Sequence, residues 1–333
     1  MRRIGITTTI PAEFIFAAGM APVDLNNIFI VDAAPAGMLE RAERDGLPRA
    51  VCGWIKGMYG AALAAGVESI IAVSDGDCSH TRSLIEILEM EGVTPVPFAY
   101  PYDRDYALLK RQMEKLAAYL NIGFTDAEEM MKRMDVIRKK LHRIDEMTWR
   151  ENTVTGMENH LYLVSASDMD GDMDRFGRKV DAFLAEAAAR EPFPRGIRLA
   201  YIGVPPIFTD IYQFLESRGA RVVFNEVQRQ FTFPFDTTDL VERYRRYTYP
   251  YDVFSRVHDI EAELARRDID GVIHYVQSFC HHQMEDVVFR KHLAGIPLLT
   301  VEGDAPGPLD ARTRLRIESF CEMLGGRRRK TAS

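Results

Sequence analysis

Val67-Glu68-Ser69-Ile70-Ile71-Ala72-Val73-Ser74-Asp75-Gly76-Asp77-Cys78-Ser79-His80 and Gly271-Val272-Ile273-His274-Tyr275-Val276-Gln277-Ser278-Phe279-Cys280-His281-His282 are the two stretches on which the fold turns. Each is a β-rich apolar run that ends in polar residues, a cysteine and histidine. After the first, a helical pattern runs to Gly92, and Val93 to Phe98 reads as the next strand with Pro95 inside it. After the second, the helical pattern runs to Gly295, and Ile296 to Val301 is the strand, with Pro297 inside. From Cys78 to Gly92 is 14 positions and from Cys280 to Gly295 is 15, so one βαβ unit recurs.

Upstream the repetition continues. Arg3 to Thr9 reads as a strand, Pro11 opens a helix over Ala12 to Ala18, Gly19 stops it, and Val23 to Ile30 reads as a strand. In the second half, Ile197 to Val204 is the strand, and Pro205 and Pro206 open a helix that stops at Gly219. Ala220 to Glu226 is the next strand. Alternating strands and helices predict an α/β protein of two doubly wound, mostly parallel halves with helices on both sheet faces.

The 333 residues, 47% hydrophobic, suffice for two such domains. The expected division is 1–103 for the first half, 104–192 for a helical connecting region, 193–326 for the second half and 327–333 for a basic tail. In the connecting region Tyr106 to Leu120 and Asp126 to Met147 carry apolar residues at helical spacing, with their charge runs read as solvated faces. The tail from Gly325 reads as frayed and solvated. A formal net charge of −7 gives no basic surface for nucleic acid. The absence of a roughly 18-residue apolar run, and of an apolar leader after Met1, predicts no membrane span and a cytoplasmic location.

Four cysteines in a cytosolic chain are poor candidates for disulfides. Cys78 and Cys280 fall where strands end and helices begin, the place where open parallel sheets bind ligands. Cys52 precedes the helical run Gly53 to Ala64. A helix N-terminus favours a thiolate, the metal-binding form, so all three are expected to have lowered pKa values and to meet in the cleft between the halves. Cys321 shares an apolar helical face with Phe320 and Leu324 and reads as core. Spacing leaves three outcomes open: an iron–sulfur cluster on Cys52, Cys78 and Cys280, a zinc ion with two cysteines and a neighbouring histidine, or buried thiols without metal. Three cysteines on a [4Fe–4S] cluster would leave one iron open.

The run Pro11-Ala12-Glu13-Phe14-Ile15-Phe16-Ala17-Ala18-Gly19-Met20-Ala21-Pro22-Val23 resembles the opening of the 2-hydroxyacyl-CoA dehydratase family, which includes 2-hydroxyglutaryl-CoA dehydratase D-components and benzoyl-CoA reductase-like subunits. Gly271 to Cys280, Gly295-Ile296-Pro297-Leu298-Leu299, Val301-Glu302-Gly303-Asp304 and Arg312 to Glu322 resemble its C-terminal signature. The resemblance implies two Rossmann-like halves around a [4Fe–4S] cluster on Cys52, Cys78 and Cys280, with one open iron. It further implies an anaerobic lyase that eliminates water from a 2-hydroxyacyl-CoA by a radical route. The electron comes from an ATP-dependent iron–sulfur activator, and the subunit pairs with itself or a similar chain. Relatives in the wider family make two alternatives: an ATP-coupled reductase of another small molecule, or a non-catalytic cluster-carrying electron-transfer subunit.

Glu302, at a strand's carboxyl end, and His281 and His80, beside the ligand positions, are the candidates for proton transfer. His282 adjoins the same site, and Asp304 shares the strand end with Glu302. Glu13 is placed to favour the positive end of the Pro11 helix or to face the cluster. Arg312, Arg314 and Arg316 can meet coenzyme A phosphates or form surface ion pairs. Asp168-Met169-Asp170-Gly171-Asp172-Met173-Asp174 lacks an EF-hand's terminal ligands and reads as a loop into a helix near Arg175. No GxGxxG or GxSxG motif supports a dinucleotide site or a serine hydrolase.

Overall fold

The computed structural model describes residues 2–331, with side chains through Arg328. It contains two four-stranded sheets, both wholly parallel. The first is built from β1 (Arg3–Ile6), β2 (Ala21–Asp24), β3 (Ser69–Asp75) and β4 (Thr94–Ala99), in the order β2-β1-β3-β4. The second is built from β5 (Ile197–Gly203), β6 (Ala220–Asn225), β7 (Gly271–Gln277) and β8 (Leu298–Gly303), in the order β6-β5-β7-β8. The two orders are the same, so the repeat read from the sequence is a repeat of topology.

The strand sequences explain their places. β3 and β7, inside their sheets, are continuous apolar runs buried on both faces, as parallel strands require. Pro22 lies in β2 and Pro95 and Pro97 lie in β4, which are edge strands, where a missing N–H interrupts no inner ladder. In β7 and β8, Val276 registers with Glu302 and Gln277 with Gly303, which brings the two strand ends level beside Cys280.

Two expected elements differ. The strand expected over Val23 to Ile30 stops at Asp24, and Leu25–Val31 is a helix. Asp24 caps it, its carboxylate accepting the Asn26 N–H at 2.9 Å, which outweighs the β-branched character of the run. Pro205 and Pro206 do not open a helix; the next helix is Ile211–Ser217. A residue followed by proline is pushed out of the helical region, so Pro205 is held extended by Pro206.

The helices Tyr106–Leu120, Phe124–Glu146 and Met173–Ala188 pack against the first half, where Met113, Met131, Met134 and Leu141 share a core with Ile4, Ile6, Phe14 and Ile71. A second core joins the halves, with Leu25, Phe29 and Ile55 from one and Tyr201, Tyr275 and Val301 from the other. The charged faces of the connecting helices are not all solvated. Arg138 and Asp145 are buried, paired with Glu13 at 2.8 Å and with Arg267 at 2.5 Å respectively. Such pairs hold the connecting region to both halves, because breaking one strands a buried charge.

The last helix, Ala311–Thr331, runs through the stretch expected to fray. The end of the basic tail, residues 332–333 and the side chains beyond Arg328, lies outside the described residues. Cys321 is buried, as its helical face predicts. Among the described residues no helix is long and apolar enough to cross a membrane.

Candidate functional site

A cavity of about 860 Å³ opens at the carboxyl edge of the strands, and Cys52, Cys78 and Cys280 all line it. Each cysteine arrives by a local turn. Cys52 is the residue before the Gly53–Ala65 helix and makes no side-chain cap hydrogen bond there. Cys78 follows β3 through Gly76, whose φ of +92° and crowding by Tyr100 and the Pro250 carbonyl leave room only for glycine. The Cys78 carbonyl accepts the Thr81 N–H at 3.0 Å. Cys280 follows β7 through Phe279, a non-glycine residue at φ +64°, and precedes the short turn His281–Glu285 without a side-chain cap hydrogen bond. The left-handed turn at Phe279 is a strained choice for an aromatic residue.

The expected thiolates are not preformed. Burial pushes Cys78 and Cys280 up to about 12, with the Asp77 carboxylate and the neighbouring cysteines adding to it. Burial raises Cys52 as well. The helix-end N–H groups act in the expected direction, but desolvation outweighs them. Cys280 feels both Cys52 and Cys78 electrostatically, which brings three thiols from two halves into one neighbourhood.

Among the described residues no three His, Cys, Asp or Glu side chains group tightly enough to hold a single metal ion. One tetrahedral ion draws its ligands to a common point. A cluster presents a separate iron to each thiol. Three cysteines that line one cavity without grouping at one point suit the second donor pattern.

Behind Cys280, Arg256 is fully buried and joins Glu226, at 2.7 Å, to Glu285. Glu226 in turn accepts the Gly203 N–H at the end of β5, at 2.9 Å. Although burial opposes it, Arg256 and then His282 hold Glu285 down to about 2. Glu285 accepts from Nδ1 of His282 at 2.8 Å, taking that nitrogen as the protonated one, which orients the ring in the cavity wall.

Across the cavity stands a carboxyl pair that sequence reading did not single out. The Asp24 backbone N–H donates to Asp168 Oδ2 at 2.9 Å, and Ser167 Oγ donates to Asp24 Oδ2 at 2.7 Å. Burial and the Asp24 charge raise Asp168 to about 8, and burial raises Asp24. Asp77, also in the wall, rises to about 6 through burial, against the pull of His282. In the sequence Asp24 falls inside the strand expected over Val23 to Ile30 and Asp168 in a loop 144 residues away, so nothing there joins the two.

Of the other predicted residues, Glu302, His281 and His80 do not line the cavity. Glu302 is exposed and accepts from Ser278 at 2.8 Å, His281 is exposed, and His80 is half-buried at the start of its helix. Asp304 touches the site through its backbone, its carbonyl accepting Gln277 Nε2 at 2.8 Å. Glu13 stands in the first turn of its helix, at the positive end as expected, and does not line the cavity; Arg138 and the Tyr244 hydroxyl hold it in the core. Arg314 pairs with Asp210, and Arg316 donates to the Thr300 carbonyl.

No individual curated protein matches the chain. The family described as 2-hydroxyglutaryl-CoA dehydratase, D-component, matches it over residues 7–324. That span takes in the second sheet, all of the first but β1, the connecting helices and all three cavity cysteines, and on it the chain belongs to the 2-hydroxyglutaryl-CoA dehydratase D-component family.

Proposed function

We propose that the chain is the cluster-bearing subunit of a 2-hydroxyacyl-CoA dehydratase, with Cys52, Cys78 and Cys280 as the ligands of one [4Fe–4S] cluster that has an open iron. The observation that carries the reading is that three cysteines from two halves line one cavity in a chain of this family. When bound, such a cluster supplies one-electron chemistry and a Lewis-acid position at the open iron.

The remaining work falls to the chain. Backbone N–H groups near the three cysteines act to lower their pKa values, against burial. Ile28, Ile55, Met58 and Phe231 exclude water from the same cavity. Asp168, whose carboxyl burial and the neighbouring Asp24 raise to about 8, can donate a proton or hydrogen bond to a substrate oxygen. His282, held by Glu285, is a second candidate for proton transfer, with Glu302, His281 and His80 outside it. Arg3, Arg175 and Lys179 line the cavity too and suit the phosphates of coenzyme A.

The overall step removes water from the 2-hydroxyacyl-CoA after one electron arrives from an ATP-dependent iron–sulfur activator, in an anaerobic cytoplasm. The assembly is a pair of like or similar subunits. The test is anaerobic purification followed by assay of iron and acid-labile sulfide. About four irons per chain are expected, lost together in Cys52→Ser, Cys78→Ser or Cys280→Ser. A colourless, iron-free protein rejects the reading. With cluster present, turnover of 2-hydroxyacyl-CoA with activator and ATP separates the dehydratase from a reductase or a carrier.

A further inference from the structure

A second pocket lies at the opposite edge of the second sheet. Its volume is about 270 Å³, and Ile197 of β5, Arg221 of β6 and Asp268, just before β7, all contribute to it. β5 alone separates it from the cysteine cavity, which Val204 lines at the strand's other end. At about 3.3 Å per residue the two sites are roughly 20 Å apart.

The charge of this pocket departs from that of the acidic chain. Arg266, Arg267 and Arg328 line it with their charges met by Glu263, Asp145 and Asp270. Arg150, Arg195, Arg198 and Arg221 also line it, and among the described residues none of these four has a carboxylate within salt-bridge distance. Arg221 is only 8% exposed, and its guanidinium is held by the Asn152 side chain and by the Val154 carbonyl at 2.8 Å. Arg198 is fixed by the carbonyls of Arg267, at 2.8 Å, and Trp149, at 2.9 Å.

Those contacts orient the guanidinium groups without neutralising them. Burial lowers the pKa of both Arg198 and Arg221, against the pull of Asp268 and Asp270 on the first and of Glu216 and Glu158 on the second, with other arginines adding to the lowering. Partly buried arginines without a paired carboxylate cost stability unless an anion joins them. The buried indole N–H of Trp149, another lining residue, has no hydrogen-bond partner. An unsatisfied buried donor beside converging cations marks room for an acceptor. Trp149 and Arg150 sit in the π-helical turn Met147–Glu151, which ends the long connecting helix there.

We propose that this pocket binds a phosphoryl anion, a phosphate or diphosphate group, through Arg150, Arg195, Arg198 and Arg221. Planar guanidinium groups match phosphate oxygens two at a time. The volume admits a diphosphate and leaves a nucleoside outside. The site is independent of the cysteine cavity and of the function proposed for it.

The test is calorimetric titration of the full chain with pyrophosphate, and separately with ADP. Binding at this pocket is expected, weakened at least tenfold in Arg150→Ala/Arg195→Ala, whose side chains are exposed and dispensable for the core. Arg175→Ala/Lys179→Ala should leave that component unchanged and remove only binding in the cysteine cavity. Equal affinity for the two ligands assigns the site to inorganic phosphoryl groups, and tighter ADP binding assigns it to nucleotides. A second readout needs no pocket variant. Trp54 and Trp149 are the only tryptophans, so in Trp54→Phe pyrophosphate should change the fluorescence of Trp149. No binding at millimolar pyrophosphate, loss only in the Arg175/Lys179 variant, or unaltered Trp149 emission overturns the proposal.

Discussion

Gly53 and Asp304 meet across the two halves with no room for a side chain between them: a Cβ on Gly53 would stand 2.4 Å from the Asp304 carbonyl oxygen. The same position is 3.4 Å from Gln277 Nε2, which donates to that carbonyl. The residue after Cys52 is therefore seated on the strand ends that precede Cys280. Gly53→Ala must push backbone against backbone, a strain of about 1–3 kcal/mol. The expected outcome is a lower urea midpoint together with a reduced iron content per folded chain. Unchanged iron would show that the contact does not set the position of Cys52.

Glu13 and Arg138 form a buried pair at 2.8 Å, and the Tyr244 hydroxyl donates to the other Glu13 oxygen at 2.8 Å. Glu13→Ala strands Arg138 with only the partly exposed Asp135, at 3.2 Å. A loss of about 3–5 kcal/mol is expected. Glu13→Leu/Arg138→Met, which removes both charges, should recover most of it. Equal loss in the single and double variants, measured by urea unfolding, would reject the ion pair as the cause.

Asp168 gives a pH dependence with a definite sign. Its pKa in the fold is about 8, raised first by burial and then by Asp24. An unfolded aspartate titrates near 3.9. Between those values the folded chain holds a proton that the unfolded chain has released. The stabilisation is complete below about pH 4 and is lost as pH rises through about 8. Its slope inside the window is about 1.4 kcal/mol per pH unit. Asp168→Asn, neutral throughout, should lose that part of the slope and unfold later than the unaltered chain at pH 8. Parallel stability–pH curves for the two proteins would contradict the assignment.

Cys321 separates a packing cysteine from the cavity cysteines. It is 3% exposed in the core shared by the two halves, beside Phe320 and Leu324. Cys321→Ala should cost about 1 kcal/mol in unfolding free energy and leave iron and sulfide content unchanged. A fall in iron equal to that of Cys52→Ser would make Cys321 part of the metal site.

The repeated βαβ unit was legible in the sequence because parallel strands buried on both faces are continuous apolar runs, and β3 and β7 are such runs. Pro95 was legible inside a strand, but that Pro22, Pro95 and Pro97 lie in edge strands is seen only in the sheet order. The placing of Cys78 and Cys280 at strand ends was legible for a local reason: the apolar run stops there. Those features depend on neighbours in sequence, and so sequence alone determined them.

What only the tertiary structure decided depends on distant neighbours. Asp24 looks like part of a strand until its helix cap and Asp168, 144 residues on, are seen beside it. Glu13 looks like a helix-end charge until Arg138 arrives from a helix in the connecting region. The thiols at helix starts look acidic until burial between two halves reverses the sign of their shift. In each case the deciding quantity is desolvation, or a partner that compensates for it. A residue's sequence neighbours do not carry that quantity, because burial is a property of the packed chain.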